Sequence, residues 1–401
     1  MKILSIYPYL TISSSALIVN GKVISASTEE RFNRQKNSTA FPLRSIEWCL
    51  KRNNLDWKDL DLIVVPWNPA KHLNDASLRW IENLRWRGEM PTSIPSYIMK
   101  AMNSNSPDDF QISWGKTKII FLNHHECHAA FSFFQSPFNN ADIITVDGRG
   151  EDETCGFFKG SGKKIKKLKS IDFPHSLGLL YGSVTEFLGF KPNSDEWKVM
   201  ALSSYSKKIN KFDKIFNKLC FKTSTGFELD LSYFDYYLFD KKKYMFSKKF
   251  AEAFGPSRKK DVKLSKRHYE IAGALQRKFS STILHLIRIM KKNSKNNKII
   301  LSGGSMMNSV FNGEFDKSNI YKDSHISYAP DDSGVAIGAG LLAYYRFSKK
   351  SKRIVKEVKS NFFGPEFSEK EIKNTLNNFK IKYENSKNIY SETAKELANG
   401  K

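Results

Sequence analysis

The sequence is poor in cysteine and has no long hydrophobic run. Its four cysteines, Cys49, Cys127, Cys155 and Cys220, are scattered without CxxC spacing, which indicates neither a disulfide framework nor a cysteine-ligated zinc cluster. No apolar stretch approaches the roughly 20 residues that cross a bilayer, and the N-terminus lacks the apolar core of a signal peptide. We therefore expect a soluble cytoplasmic protein that does not contact a membrane.

Acidic residues are also scarce relative to basic ones. The chain has 65 Lys and Arg against 41 Asp and Glu, and a formal net charge of +24. The excess is mostly lysine in segments such as 163–167 and 349–353, without regular aromatic interleaving, which favours solvated faces over a nucleic-acid surface. The positive charge still attracts small anionic substrates.

A repeated pattern indicates the fold. The 401 residues, 40% of them hydrophobic, are enough for two lobes that each bury a core. A strand, loop, strand, tight turn and strand pattern covers residues 2–27, with Asn20-Gly21 as its hairpin signal, and returns over 143–171. Two such units followed by helices predict an α/β protein with the duplicated actin-like or sugar-kinase-like ATPase fold, in which two lobes surround a central cleft.

The motif NHHECHAA, at residues 123–130, follows an apolar run that predicts a buried strand. Residues four apart lie on one face of a helix, so His124 and His128 can direct ring nitrogens at one point. A second apolar run, 141–146, predicts a strand that ends at Asp147, and ligands collect at the carboxyl ends of strands in open α/β sheets. These residues form a partial shell for a divalent metal; the alternative is that the histidines pack or cap a helix.

Two further segments bear on the same cleft. A β-rich run at 298–301 leads into Gly303 and Gly304, which let a phosphate or sugar approach the backbone before a helix start that favours anions; a tight packing turn is the alternative. In the segment 329–340, Asp332 precedes a helix whose small residues permit close packing. Asp332 is either an N-cap or a second carboxylate on the metal, and the three other candidate ligands favour the metal.

Together the motifs resemble the O-carbamoyltransferase family of nodulation-factor and antibiotic biosynthesis, whose N-terminal domain is similar to the tRNA threonylcarbamoyl-transfer enzyme. They occur in family order: EERFNRQK with a following FP, NHHECHAA, TVDGRGE, GLLYGSVTEFLGF, EWKVMAL, LSGGSMMNSVFN and APDDSGVAIGAG. The resemblance implies a carbamoyltransferase N-terminal domain over 1–346, with lobes at about 1–140 and 141–346. A linker at 347–364 and the start of a YrdC-like C-terminal domain at 365–401 follow.

The resemblance also implies a ligand set. The metal, usually iron, is held by His124, His128, Asp147 and Asp332. The residues implied for the nucleotide part of ATP or carbamoyl-adenylate are Gly148, Gly150, Gly303, Gly304 and Asn308, and those for its phosphate are Lys198, Arg34 and Lys36. As alternatives, Lys198 is a solvated helix residue, and Arg34 and Lys36 belong to a surface charge run.

The implied reaction is carbamoyl transfer. A Lewis-acidic metal polarises the carbamoyl group, a hydroxyl of a sugar or natural-product acceptor attacks it, and AMP leaves. Many family members carry a first-loop histidine near the position of Ile12, and neither Ile12 nor Thr11 can act as a base near neutrality. We therefore expect His125 or a metal-bound water to serve, beside Asp147, in the catalytic centre.

The end of the chain is a second departure from the family. A YrdC-like domain makes carbamoyl-adenylate from carbamoyl phosphate and ATP, and residues 365–401 resemble only its beginning, so we expect a truncated product or a second chain that supplies that half. The alternative function is a catalytically impaired nucleotide-binding or scaffold protein of the same fold. A simple actin-like kinase is disfavoured because such enzymes hold Mg²⁺ through carboxylates and waters. Insertions at 70–112 and 206–262 are expected to shape the acceptor pocket, and a homodimer is considered.

Overall fold

The computed structural model describes residues 1–8, 12–68, 110–114, 117–349, 353, 355, 358 and 360–401. They divide into two compact units, Met1–Phe363 and Gly364–Lys401. Most of the predicted insertion at 70–112 lies outside the described residues, as does Thr11. Within the described part of the chain, no helix is both long enough and apolar enough to cross a membrane.

The first lobe is built on a six-stranded sheet. Its elements are β1 (Lys2–Tyr7), β2 (Ser14–Val19), β3 (Lys22–Thr28), α1 (Glu30–Asn33), α2 (Leu43–Arg52), β4 (Leu62–Val65), β5 (Phe110–Trp114) and β6 (Thr117–Phe121). The strand order is β3-β2-β1-β4-β6-β5, with β1, β4 and β6 parallel. Asn20 and Gly21 have φ angles of 51° and 79°, which a two-residue hairpin requires, so the predicted turn joins β2 to β3.

The remaining elements of the larger unit build a five-stranded sheet and its helices. They are α3 (His124–Gln135), β7 (Asn140–Val146), β8 (Glu153–Ser161), β9 (Lys164–Asp172), α4 (Leu177–Phe187), α5 (Glu196–Ser203), α6 (Lys211–Leu219), β10 (Cys220–Lys222), β11 (Phe227–Leu229), α7 (Lys248–Phe254), α8 (Lys266–Lys292), β12 (Lys298–Ser302), α9 (Ser309–Asp316), β13 (Asp323–Ile326) and α10 (Val335–Phe347). The sheet order is β13-β12-β7-β8-β9, with β10 and β11 forming a separate pair.

The two large sheets repeat one topology. In each, an antiparallel three-stranded meander (β1-β2-β3 and β7-β8-β9) is extended from its first strand by two parallel strands, β4 and β6 in one sheet and β12 and β13 in the other. This repetition confirms the predicted duplicated α/β architecture.

Helices α3 and α10 lie in the core shared by the two sheets. Helix α3 packs on β7 and β8, helix α10 packs on β1 and β2, and the two helices pack against each other. A Cβ atom at Gly338 would lie 2.1 Å from the backbone oxygen of Cys127. Only glycine permits this approach, so the predicted close packing of the small-residue helix is confirmed.

The segment 206–262 is predicted to be an irregular insertion, but the structure shows regular elements there. It contains α6, the β10-β11 pair and α7, and their aromatic side chains lie in the core of the second lobe. Phe212 and Phe216 on α6, and Phe250 and Phe254 on α7, are all at most 2% exposed. Their spacing of four residues is a helical signal that the abundance of lysine obscured.

The smaller unit, Gly364–Lys401, is described throughout and contains α11 (Glu369–Asn378) and α12 (Ile389–Ala398). Ser368 and Glu371 form a capping box at the start of α11. None of its residues is buried. Within the predicted linker, Arg353 is 8% exposed and donates hydrogen bonds to backbone oxygens just beyond and within the end of α3. The domain boundaries at 346 and 365 stay predictions.

Candidate metal centre and adjoining cleft

Helix α3 begins directly after β6, at the edge of the sheet where the parallel strands end. The side chain of Asn123 accepts a hydrogen bond from the backbone N–H of Glu126 at 2.9 Å and caps the helix. His124 and His128, one turn apart, are both fully buried. Their Nε2 atoms lie 3.1 Å from each other, so the two rings converge on one point.

Two carboxylates reach the same point. Asp147, immediately after β7, places Oδ2 at 3.3 Å from both Nε2 atoms. Asp332, just before α10, places Oδ1 at 3.4 Å from His124 and 3.3 Å from His128. One ligand atom of each of the four residues lies within 4.8 Å of the others. The structure thus brings together the set that the family resemblance implies.

Asp332 does not act as the N-cap that was its alternative role. The neighbouring Asp331 caps the short turn before α10, because its side chain accepts the backbone N–H of Ser333. The hydroxyl of Ser333 also donates to Asp331. With this turn already capped, the carboxylate of Asp332 is directed toward the two histidines.

The geometry of the four residues fits a divalent cation. Atoms bound to one metal at about 2.1 Å are roughly 3.0 to 3.4 Å apart when their bonds subtend 90° to 109°, and the five separations above run from 3.1 to 3.4 Å. His124 Nδ1 donates to the backbone oxygen of Pro66 at 3.3 Å, so Nε2 is the ring nitrogen that would face a cation. Two imidazoles and two carboxylates suit iron, manganese or zinc.

The charges of the site reinforce one another. Burial alone lowers the pKa of His124, but hydrogen bonds to Asp147 and Asp332 outweigh burial and raise the pKa well above its usual value. Burial opposes ionisation of Asp147, yet His124 and His128 hold its pKa well below the usual range. The pKa of Asp332 is also lowered, against burial and the charge of Asp147, by the same rings. Both carboxylates are therefore in the form that binds cations.

Glu151 fixes the start of α3. Both of its carboxylate oxygens accept the backbone N–H of His124 at 3.1 Å, and one also accepts from the Asn123 side chain at 3.2 Å. The side chain is fully buried, and a carboxylate at a helix N-terminus is favourable. The sequence analysis assigned no role to Glu151, because nothing local indicates that its turn meets α3.

His125 is a structural residue. Its Nδ1 lies 2.7 Å from the hydroxyl of Thr145, and its Nε2 lies 3.1 Å from the backbone oxygen of Glu153. The ring therefore donates from Nε2 and accepts at Nδ1, and burial lowers its pKa to about 4. Because both nitrogens are engaged in the core, this geometry disfavours the expected role of His125 as the group that takes a proton from the acceptor.

A cleft of about 840 Å³ opens beside the four converging residues, and Asp147 and Asp332 form part of its wall. Gly148, Gly304 and Asn308 of the implied nucleotide set also line it. The backbone N–H of Gly304 donates to Asp147 Oδ1 at 3.1 Å. The structure therefore places three of the five residues of this set in the wall of the cleft beside the four converging residues.

Asn308 is held in place within the cleft wall. Its side-chain oxygen accepts the backbone N–H of Phe311 at 2.9 Å and caps α9. Its amide also exchanges hydrogen bonds with Gln276 at 2.9 and 3.0 Å. These contacts orient Asn308 before any ligand binds.

Two other glycines of the set support the site from behind the cleft wall. A Cβ atom at Gly150 would lie 2.8 Å from the ring of His125. Gly303 has a φ of 92°, and a Cβ atom there would lie 2.3 Å from the backbone oxygen of Val146. Neither is among the described residues that line the cleft, so both shape the loops that do.

The basic residues that line the cleft are not the three that the resemblance implies. Lys36 lines the cleft, whereas Lys198 and the exposed Arg34 are not among its described lining residues. Lys198 pairs instead with Asp195 at 3.0 Å. The lining includes further cations that the sequence analysis did not identify, which are Arg149, Lys242 and Lys243.

Ile12 occupies the first loop and also lines the cleft. Its φ of 63° lies in the left-handed region, which is rare for a β-branched residue. The side chain offers no group that accepts a proton. Near the place where the resemblance implies a histidine, this side chain thus presents an aliphatic surface.

Comparison with known proteins agrees with these motifs. Residues 2–341 match the family model described as carbamoyltransferase N-terminus. The chain is 30% identical over 420 residues to the uncharacterized protein sll1178 of Synechocystis sp., which covers 99% of this chain and 67% of the relative. It is 26% identical over 397 residues to nodulation protein NolNO of Sinorhizobium fredii, with coverages of 96% and 54%.

Among solved structures, the activator of 2-hydroxyisocaproyl-CoA dehydratase from Clostridium difficile with bound ADPNP has a TM-score of 0.43 at 12% identity, covering 86% of this chain and 95% of its own. The likeness is too distant to bear on the site. The chain spans between about half and two thirds of the length of the two curated relatives. Since the family model covers most of the chain and includes all four converging residues, the chain belongs to the carbamoyltransferase family and contains its N-terminal domain.

Proposed function

We propose that this chain is the transferase half of an O-carbamoyltransferase, which moves a carbamoyl group from carbamoyl-adenylate to a hydroxyl of a sugar or natural-product acceptor. The observation that supports it most is the convergence of His124, His128, Asp147 and Asp332 at the wall of the cleft. Family membership supports carbamoyl transfer as the reaction, and these four residues support a metal site for it.

The four converging residues would hold the divalent metal, iron by family resemblance. When bound, such a cation polarises the carbamoyl oxygen and stabilises the negative charge that develops during transfer. The histidines offer Nε2 atoms, and each carboxylate offers one oxygen. Gly304 keeps the other oxygen of Asp147 engaged.

The nucleotide would lie along the same cleft. Its volume of about 840 Å³ is in the range of small-molecule sites. Gly304 brings the backbone close to the ligand, and Lys36 and Arg149 place positive charge in the lining, where it attracts the phosphate of the adenylate. Asn308 contributes a fixed amide beside them.

The transfer requires a proton acceptor. The acceptor oxygen bonds to the carbamoyl carbon while the bond from that carbon to the adenylate phosphate oxygen breaks, and AMP leaves with the electron pair. The described lining contains no histidine. Burial raises the pKa of three lining carboxylates, Glu186, Glu196 and Asp331, which favours proton uptake, and we assign the acceptor's proton to one of them.

A second candidate function is a binding or scaffold protein of the same fold that does not turn over. Ile12 favours it, because this lining residue of the first loop offers no group that accepts a proton. In this case the metal and the nucleotide are bound, yet no carbamoyl group is transferred.

Metal analysis tests the metal site that both candidates share, and AMP release from pre-formed carbamoyl-adenylate with a pool of hydroxyl acceptors separates the two candidates. We expect about one equivalent of metal and acceptor-dependent AMP release. Replacing both His124 and His128 by Ala abolishes both signals. The control is His285→Ala, which removes a ring that donates to the backbone oxygen of Thr223 outside the cleft lining and leaves both unchanged.

Bound metal without AMP release from any acceptor supports the scaffold. A wild-type protein that binds no divalent metal, or that transfers phosphoryl groups with Mg²⁺ alone, contradicts the proposed function.

A further inference from the structure

Tyr7, the last residue of β1, reaches the metal centre from the first lobe. Its side chain is 1% exposed and forms part of the cleft wall. The phenol donates a hydrogen bond to Asp332 Oδ2 at 2.8 Å. Its ring also stacks on His124, with ring centres 5.6 Å apart and planes inclined by 25°. One side chain therefore contacts two of the four converging residues.

The two oxygens of the Asp332 carboxylate make different contacts. Oδ1 is the oxygen that approaches the Nε2 atoms of His124 and His128, whereas Oδ2 accepts from Tyr7. The two oxygens of Asp147 also differ, because Oδ2 faces the rings and Oδ1 accepts a hydrogen bond from the backbone N–H of Gly304. In each carboxylate, one oxygen thus faces the histidine nitrogens and the other accepts a hydrogen bond.

We propose that Tyr7 is a positioning residue that holds Asp332 as a one-oxygen ligand and so keeps part of the cation's coordination shell open for substrate. This inference rests on the metal site of the proposed function. An oxygen that already accepts a strong hydrogen bond is a poorer metal donor, so the bond from Tyr7 disfavours two-oxygen binding by Asp332. The chain then supplies four donor atoms to a cation that accepts about six.

The placement of Tyr7 makes this role specific. A buried phenol needs a hydrogen-bond partner, and Asp332 supplies it. The ring is packed in the core between the sheets, so the hydroxyl is held by β1 while Asp332 is held by the turn before α10. Tyr7 therefore couples the first lobe to the position of one ligand oxygen.

The test compares two phenol-to-carboxylate hydrogen bonds. Tyr7→Phe removes the hydroxyl and keeps the ring on His124. The matched control is Tyr321→Phe, which removes the bond from Tyr321 to Asp142 Oδ2 at 2.7 Å, away from the cleft. Mn²⁺ is the probe, because its affinity and its number of coordinated waters are both measurable, by titration and by water-proton relaxation.

We expect wild-type protein to bind Mn²⁺ with about two coordinated waters, the number left by four protein donors in a six-coordinate ion. Tyr7→Phe should lower the water count as Oδ2 turns to the metal. It should also weaken Mn²⁺ binding about tenfold, because the carboxylate of Asp332 is no longer oriented before the cation binds. Tyr321→Phe should match the wild-type protein in both. Circular dichroism of the metal-free variants checks their fold.

Equal affinity and equal water count in Tyr7→Phe and wild-type protein overturn the role of Tyr7 and leave the metal site intact. A wild-type complex without coordinated water also overturns it, whether or not the variant folds. Failure of the wild-type protein to bind Mn²⁺, Co²⁺ or Fe²⁺ removes the metal site itself and with it the proposed function.

Discussion

The backbone N–H of His124 lies between the two carboxylate oxygens of Glu151, at 3.1 Å from each. Glu151 belongs to the loop that begins with Asp147, so this contact fixes two of the converging residues relative to each other. A local feature of one loop thereby sets the position of a helix that is distant in sequence.

Replacing Glu151 by Gln should weaken both the fold and the metal site. An amide turns a donor toward the N–H groups of His124 and Asn68, so we expect a loss of about 1–2 kcal/mol in unfolding free energy and roughly tenfold weaker Mn²⁺ binding. Urea unfolding and metal titration measure these effects.

The control for Glu151 is Glu47→Gln on α2. Glu47 is half exposed and pairs with Lys51 at 3.2 Å, and the loss of such a surface pair costs less than about 1 kcal/mol. Equal behaviour of the two variants would contradict the role of Glu151.

Gly303→Ala should destabilise the protein by about 2–3 kcal/mol, because the new Cβ meets the backbone oxygen of Val146 and the φ of 92° is strained for alanine. Gly313→Ala is the matched change, since a Cβ there meets nothing within 4 Å inside α9. It should stabilise by about 0.5–1 kcal/mol. Thermal unfolding measures the stability of both variants. Similar losses of stability would show that the turn at Gly303 accepts a side chain without strain.

Lys36→Ala should weaken ADP binding about fivefold, equivalent to roughly 1 kcal/mol for one charged contact in the cleft. Lys198→Ala should change it less than about twofold, because Lys198 pairs with Asp195 and is absent from the described lining. Calorimetry with ADP compares the two. A larger effect at Lys198 would restore the role that the family resemblance implies for it.

The pair of Asp213 and Arg277 predicts a pH dependence of stability. Burial opposes ionisation of Asp213, but two hydrogen bonds from Arg277, at 2.8 and 2.7 Å, outweigh it and lower its pKa. The unfolded state then binds more protons below about pH 4, so this stabilisation is present above that pH and is lost as the pH falls through the folded-state pKa.

Arg277→Gln should therefore lower the unfolding free energy by about 2 kcal/mol near neutral pH, and the difference should shrink toward about pH 3. Urea unfolding at both pH values measures it. Lys266→Gln, which removes an exposed pair with Glu270 at 3.9 Å, is the control with little expected effect. A difference that persists in acid would assign the loss to packing.

The sequence by itself determined the local features of this protein. The spacing of His124 and His128 places both on one face of a helix because a helix repeats every 3.6 residues. The apolar run of β1 and the Asn20-Gly21 turn likewise depend on neighbours in the chain, and the structure has β1 at the predicted residues 2–7. The repeat of these patterns was sufficient to predict the duplicated fold.

Only the tertiary structure decided which side chains face the cleft. His125 is one position from His124, yet the rotation of about 100° per residue turns it into the sheet against Thr145. The approach of Tyr7 to Asp332, 325 residues apart, has no local signal, because it depends on how β1 and α10 pack. Contacts of this kind arise from the packing of whole elements, which a short stretch of sequence does not specify.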